Sequence, residues 1–186
     1  VHGEADTIVP VELGRELHAA AAGPKAWWSV PGREHNDLPY VVASNLTVST
    51  GVVLTIDPGT VVKFTGSTMT VNGALVAAGT TEDRVVFTSI HDDSFAGDTN
   101  NNAGVTVPNP GNWQQIHFSA SSLSSSRLEH AIVKYGRVNI EVSSPTISNC
   151  YIGFSSGYGI ELLYQAAPLI AGNVISQNRS DGLRLG

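Results

Sequence analysis

The chain has 186 residues, enough for one domain or two small ones, and 41% of them are hydrophobic. Only 14% are charged, against roughly 25% in ordinary domains, so its polar surface must come from Ser, Thr, Asn and Gly. A formal net charge of −6 argues against a nucleic-acid surface, no apolar run approaches the roughly 20 residues of a membrane span, and the single cysteine, Cys150, excludes an internal disulfide framework and a multi-cysteine zinc site.

Composition changes sharply near Asp37, which divides the chain into residues 1–37 and 38–186. The first part reads as loop, helix, strand. Pro10 suits a first helical turn, where its missing N–H would be unpaired in any case. Leu13, Leu17, Ala20 and Ala21 follow on one face at helical spacing, and Gly23 with Pro24 ends the run. Ala26 to Val30 reads as a short buried strand closed by a Pro31-Gly32 turn. No basic stretch followed by an apolar one stands at the start, so no secretory signal is expected there, and both ends read as cut from a longer protein.

Two strings in this part, VHGEADTIVP at 1–10 and PKAWWSVPGREHN at 24–36, resemble the C-terminal part of an α/β-hydrolase. In that family an Asp in a G-x-x-D-x-x-V-P loop is the triad acid, and a His in a later P-G-x-x-H loop is the base. The resemblance implies these roles for Asp6 and His35: the imidazole takes a proton from a nucleophile, and the carboxylate fixes its tautomer. The family order places the nucleophile before both, hence upstream of Val1. The string Gly153-Phe-Ser-Ser-Gly157 follows His35 and sits in no strand-to-helix elbow, so Ser155 is not expected to supply it.

From residue 38 the sequence repeats. Pro145 and Pro168, Ile147 and Ile170, Ile152 and Ile175, and Gly159 and Gly182 are all 23 residues apart. A looser copy, Leu128–Val133 leading to Val138–Val142, precedes them at an offset of 19 to 20. Earlier still, Leu54 and Ile56 map onto Leu75 and Ala77, and Val62 and Phe64 onto Val85 and Phe87. Each stretch alternates apolar with polar, the period of a half-buried strand, and Gly, Asn, Asp and Pro separate the stretches. A repeat of this length built from three short strands is one coil of a parallel β-helix, whose inward residues stack into columns.

The stretches Tyr40–Val48, Gly51–Phe64 and Val71–Thr80, with the strings P-x-I-x-x-N-x-I and G-I-x-L, resemble right-handed parallel β-helix repeat proteins of bacteria. The resemblance implies an all-β chain. It would be a right-handed parallel β-helix of about six coils, with residues 1–37 as a short α/β segment capping its N-terminal end. It also implies an extracellular or cell-surface location. The fold hosts pectate lyases, polygalacturonases, adhesins and surface proteins, so function must be read from the outward side chains.

With Ile116/Phe118, Ile140/Val142, Ile160/Leu162 and Leu183/Leu185 facing inward, the residues between them, His117, Glu141, Glu161 and Arg184, stack outward at about 4.8 Å spacing. That row could hold a sugar or stand as a solvated face. The long interruption at 91–112 carries Asp92, Asp93, Asp98, Asn100 and Asn102, hard oxygen ligands whose alternation resembles the start of a calcium loop. Calcium is the one cofactor this suggests, and a solvated loop ordered by Asx turns is the alternative. Trp27, Trp28 and Trp113 suit packing or sugar stacking, and Cys150 reads as a small buried side chain.

A β-helix lyase would hold calcium with several carboxylates, and a polygalacturonase would need three close aspartates; the C-terminal coils offer only Asp181. The expected function is therefore a non-catalytic extracellular or cell-surface module that binds glycan, adheres or acts as a spacer. Its expected partner is a polysaccharide or cell-surface glycan, not nucleic acid or a membrane, with self-association through an uncapped C-terminal coil. The alternatives are a fragment of a serine hydrolase and a polysaccharide-degrading β-helix enzyme.

Overall fold

The computed structural model describes residues 2–3, 10–20, 29–30 and 40–186. The chain divides into two compact units, Val1–Pro39 and Tyr40–Gly186. In the first, β1 (His2–Gly3) pairs in parallel with β2 (Ser29–Val30), and α1 spans Val11–Ala20. Helix α1 starts where Pro10 predicts: the Leu13 N–H donates to the Pro10 carbonyl at 3.0 Å, and Glu12 places a negative charge in the first turn. Asp6, His35, Trp27 and Trp28 lie outside the described residues.

The second unit is a parallel β-solenoid of six coils. The first coil holds β3 (Tyr40–Val42), β4 (Leu46–Val48) and β5 (Val53–Ile56). The second holds β6 (Val61–Phe64), β7 (Thr68–Val71) and β8 (Ala74–Ala78). The third holds β9 (Val85–Ser89), β10 (Gln115–Phe118) and β11 (Arg127–Glu129). The fourth holds β12 (Ala131–Lys134), β13 (Arg137–Glu141) and β14 (Thr146–Ser148). The fifth holds β15 (Tyr151–Gly153), β16 (Ile160–Leu163) and β17 (Leu169–Ala171), and the last holds β18 (Val174–Ser176) and β19 (Leu183–Leu185).

Equivalent strands stack into three parallel sheets. Sheet 1 has the order β3-β6-β9-β12-β15-β18, sheet 2 the order β4-β7-β10-β13-β16-β19, and sheet 3 the order β5-β8-β11-β14-β17. In sheet 2 the columns Leu46, Met69, Ile116, Val138, Ile160 and Val48, Val71, Phe118, Ile140, Leu162 face the core, and Leu183 and Leu185 continue their register in the last coil, where both are exposed. Sheet 3 adds Ile56, Ala77, Leu128, Ile147 and Ile170, and sheet 1 adds Val62, Phe87, Val133, Ile152 and Ile175. Stacking of like on like lets each coil bury a face that it could not bury alone.

In the later coils the bends between sheets carry residues in the left-handed region. His130 (φ 47°), Asn149 (φ 55°) and Gly172 (φ 66°) turn sheet 3 into sheet 1. Tyr135 (φ 65°), Phe154 (φ 59°) and Gln177 (φ 59°) follow sheet 1, and Val142 (φ 59°) and Tyr164 (φ 53°) follow sheet 2. A non-glycine residue held there costs on the order of 1–3 kcal/mol, which stacking of the flanking strands must offset. The bend also shifts the inward phase: buried positions run Leu128 to Ala131 and Ile147 to Cys150, three apart across the corner instead of two.

Two register expectations are corrected. Val62 pairs with Phe87, not Val85, because β9 is offset by two further residues after the 79–84 connection. In β13 the inward pair is Val138/Ile140, not Ile140/Val142; Val142 is a corner residue, 49% exposed.

Candidate functional site

The outward face of sheet 2 gathers a polar row. Its members in register are Thr47, Thr70, His117, Asn139, Glu161 and Arg184. Asn139 occupies the place expected for Glu141, which is displaced by two and pairs with Leu163. Glu141 still reaches the row, with its Oε2 3.2 Å from His117 Nε2.

Glu161 sits at the centre of this face, its side chain only 11% exposed. Arg184, one coil further on, donates from Nη1 to Glu161 Oε1 at 3.4 Å and to the Tyr158 hydroxyl at 3.0 Å. Its guanidinium carbon lies 4.9 Å from the Tyr158 ring centroid, a cation–π arrangement. Arg137, one coil before, places Nη1 3.7 Å from Glu161 Oε2, while its Nε donates to Gln115 Oε1 at 2.9 Å. Asn139 Nδ2 completes the set, donating to Glu161 Oε2 at 3.2 Å. One nearly buried carboxylate thus holds two guanidinium groups from the coils above and below it. Those guanidinium-bearing side chains are themselves 38% and 46% exposed.

The chemistry on offer is hydrogen bonding and stacking: donors on Arg137, Arg184 and Asn139, an acceptor and donor pair in Glu141 and His117, and the Tyr158 ring. Sequence reasoning missed Asn139, Arg137 and Tyr158. Val138, Ile140 and Val142 form an unbroken alternating run, so apolar pattern alone gives two equivalent choices of inward pair. The choice made decides whether Asn139 or Glu141 joins the row.

The 91–112 loop is ordered by its own polar side chains. Asp92, 3% exposed, accepts from the Thr88 hydroxyl at 2.7 Å and the Ser94 N–H at 3.3 Å, and lies 3.6 Å from Lys134 Nζ. Asp98 accepts from the N–H groups of Asn102 (3.1 Å) and Ala103 (2.7 Å), and the Asn102 side-chain oxygen accepts from the Val105 N–H. Asn100 Nδ2 lies 3.1 Å from His91 Nδ1. Of the bonds that these side chains accept from backbone N–H groups, the Asp92 to Ser94 bond is an Asx turn, two residues on, and the others span three to five residues. Asp93 Oδ1 and Asn100 Oδ1 are buried without a hydrogen-bond partner. Among the described residues no three His, Cys, Asp or Glu side chains gather as a metal-holding group.

The loop is tied to the coils at two lysines. Lys63, fully buried, donates to the Gly97 carbonyl at 2.8 Å. Lys134 Nζ, besides facing Asp92, lies 5.1 to 5.3 Å from the ring centroids of Phe95, Tyr135 and Phe154. Ser155, the serine of the Gly-x-Ser-x-Gly string, is 1% exposed, and its Oγ accepts from the Gly157 N–H. Cys150 is 2% exposed, faces the core side of its corner, and has its thiol pushed up to about 11, chiefly by burial. No described helix is long and apolar enough to cross a membrane.

Comparison with protein-family models, with curated proteins and with solved structures found no match to this chain, so the α/β-hydrolase resemblance of residues 1–37 has no support from them.

Proposed function

We propose that the chain is a non-catalytic extracellular or cell-surface module that binds glycan along the outward face of sheet 2. The observation that carries this reading is the convergence of Arg137 and Arg184, from two coils apart, on the nearly buried Glu161, beside Tyr158. Sugar recognition relies on fixed, planar hydrogen-bonding groups and an aromatic surface, and the guanidinium fork supplies both rigidity and donors. The His117–Glu141 pair extends the same face by a further coil, so the ligand would lie across the strands and span several coils. Adhesion or spacing follows if the glycan belongs to a cell surface.

The test is a glycan array probed with the labelled chain, followed by calorimetric titration of any hit against Arg184→Ala. Binding lost in the variant supports the reading. An array without hits, or a hit that binds Arg184→Ala as tightly as the parent, overturns it.

A further inference from the structure

A concavity lies apart from the sheet 2 face, along the corner from sheet 3 to sheet 1 in the later coils. It has a volume of about 470 Å³, within the range of small-molecule sites, and Arg84, His130, Ile132, Asn149, Tyr151 and Val174 are among the residues that line it. Its origin is a difference in corner length. In the later coils one left-handed residue, His130, Asn149 or Gly172, makes the turn. Between β8 and β9 the connection runs instead from Gly79 to Arg84, held by the Thr80 N–H to Asp83 carbonyl bond at 2.9 Å. The longer segment stands against the tight corners beside it and forms one wall.

Arg84 is the cation of that wall. It reaches past the His130 corner to donate from Nη1 to the Asn149 carbonyl at 3.1 Å, one of five N–H donors on the group. Arg127, Arg137 and Arg184 each lie 3.3 to 3.7 Å from a glutamate, whereas among the described residues Arg84 has no carboxylate within ion-pair distance. His130 Nδ1 is buried with no hydrogen-bond partner, a second incomplete polar group at the same place. The remaining surface is partly apolar: Ile132, and Val174 at 58% exposure, lie in the last three coils.

We infer that this corner groove binds a small organic carboxylate, its charged end on the Arg84 guanidinium and its apolar body across Ile132 and Val174. The site shares no residue with the glycan face on sheet 2, so it stands independently of that reading. Guanidinium is the side chain best matched to a carboxylate, through paired N–H bonds in one plane, and a partly enclosed apolar floor discriminates an organic acid from a bare oxyanion.

The experiment is an amide-resolved NMR titration of the full chain with benzoate, benzyl alcohol and inorganic phosphate in parallel. Expected are saturable benzoate shifts at His130, Asn149 and Tyr151, none that saturate with benzyl alcohol, and at least tenfold weaker binding in Arg84→Gln with the sheet 2 amides unmoved. Val174→Asp, an exposed position at the far end of the groove, should weaken benzoate through charge repulsion and serves if Arg84→Gln does not fold. Equal benzoate binding by these variants, or an absence of saturable shifts in the parent chain, overturns the inference. Phosphate binding as tight as benzoate overturns its organic part.

Discussion

Trp113 lies flat on Phe64, ring centroids 4.2 Å apart and planes 11° from parallel. The indole is fully buried, and its N–H donates to the Lys134 carbonyl at 2.7 Å, so the end of the long loop is pinned into the core of two coils. Gly136 makes room for it, since a Cβ there would collide with the Trp113 indole. Trp113→Ala should cost about 3–5 kcal/mol, read from urea denaturation, and Gly136→Ala should also destabilise by forcing the ring to shift. A Trp113→Ala midpoint equal to that of the parent would show that the coils stand without this stack.

Glu161 should matter both to the face and to the fold. Glu161→Ala leaves Asn139, Arg137 and Arg184 without their shared acceptor. A loss of about 1–3 kcal/mol in stability is expected from the unpaired groups. Glycan affinity should fall at least tenfold, whereas Glu129→Ala on sheet 3 should leave it unchanged. Retained affinity in a folded Glu161→Ala would remove sheet 2 as the binding face.

Burial of Cys150 gives a pH dependence with a definite sign. The folded thiol titrates near 11 against 9.0 for an ordinary thiol, so the folded state holds its proton where the unfolded state has lost it. The stabilisation is complete below about pH 9 and is lost as pH rises through about 11. Cys150→Ala should flatten that part of the stability curve at some cost in packing. A thiol-specific reagent at neutral pH should label the chain only after denaturant is added, and rapid native labelling would contradict the buried placement.

The 91–112 loop should keep its order in chelator. Asp92 and Asp98 already accept hydrogen bonds from the protein, and Lys63 and Lys134 tie the loop to the coils. Hydrogen exchange over residues 91–112 should be the same in calcium and in EDTA, and faster in Asp92→Ala. Strong protection that appears only with calcium would return the loop to a metal-binding role, with the unpartnered oxygens of Asp93 and Asn100 as the first ligands to test.

We propose that the 186-residue chain self-associates through the strand edges of its sixth coil. Its strands β18 and β19, with β17 beside them, each end their sheet, and Leu169, Val174 and Leu185 are 61%, 58% and 76% exposed. Unpaired strand edges of this kind pair with further strands. Light scattering should show concentration-dependent association of the 186-residue chain, reduced by Leu169→Lys with Leu185→Lys. A monomer at all concentrations would contradict this.

Much of the solenoid was legible because repetition and strand alternation are both sequence periods. The 23-residue spacings of Ile147 and Ile170 and of Ile152 and Ile175 are strand pairs in the structure. Register failed where alternation continues through a bend. A slip of two residues leaves the inward and outward faces unchanged, so the pattern could not separate Val138/Ile140 from Ile140/Val142, nor Val85 from Phe87 as the partner of Val62. The corner groove was invisible for a different reason. It arises from unequal turn lengths on adjacent coils, which become neighbours only once the coils are stacked.

The single-residue bend at His130, Asn149 and Gly172 acts as a reading frame for the two strands it joins. Adding or removing one residue there would turn every side chain of the following strand inside out, sending Ala131 and Val133, or Cys150 and Ile152, to the solvent. The 91–112 segment carries no such phase, because its length is taken up outside the stack. Natural length variation in this architecture should therefore gather in the outer loops and avoid the tight corner, and an inserted peptide tag is best placed by the same rule.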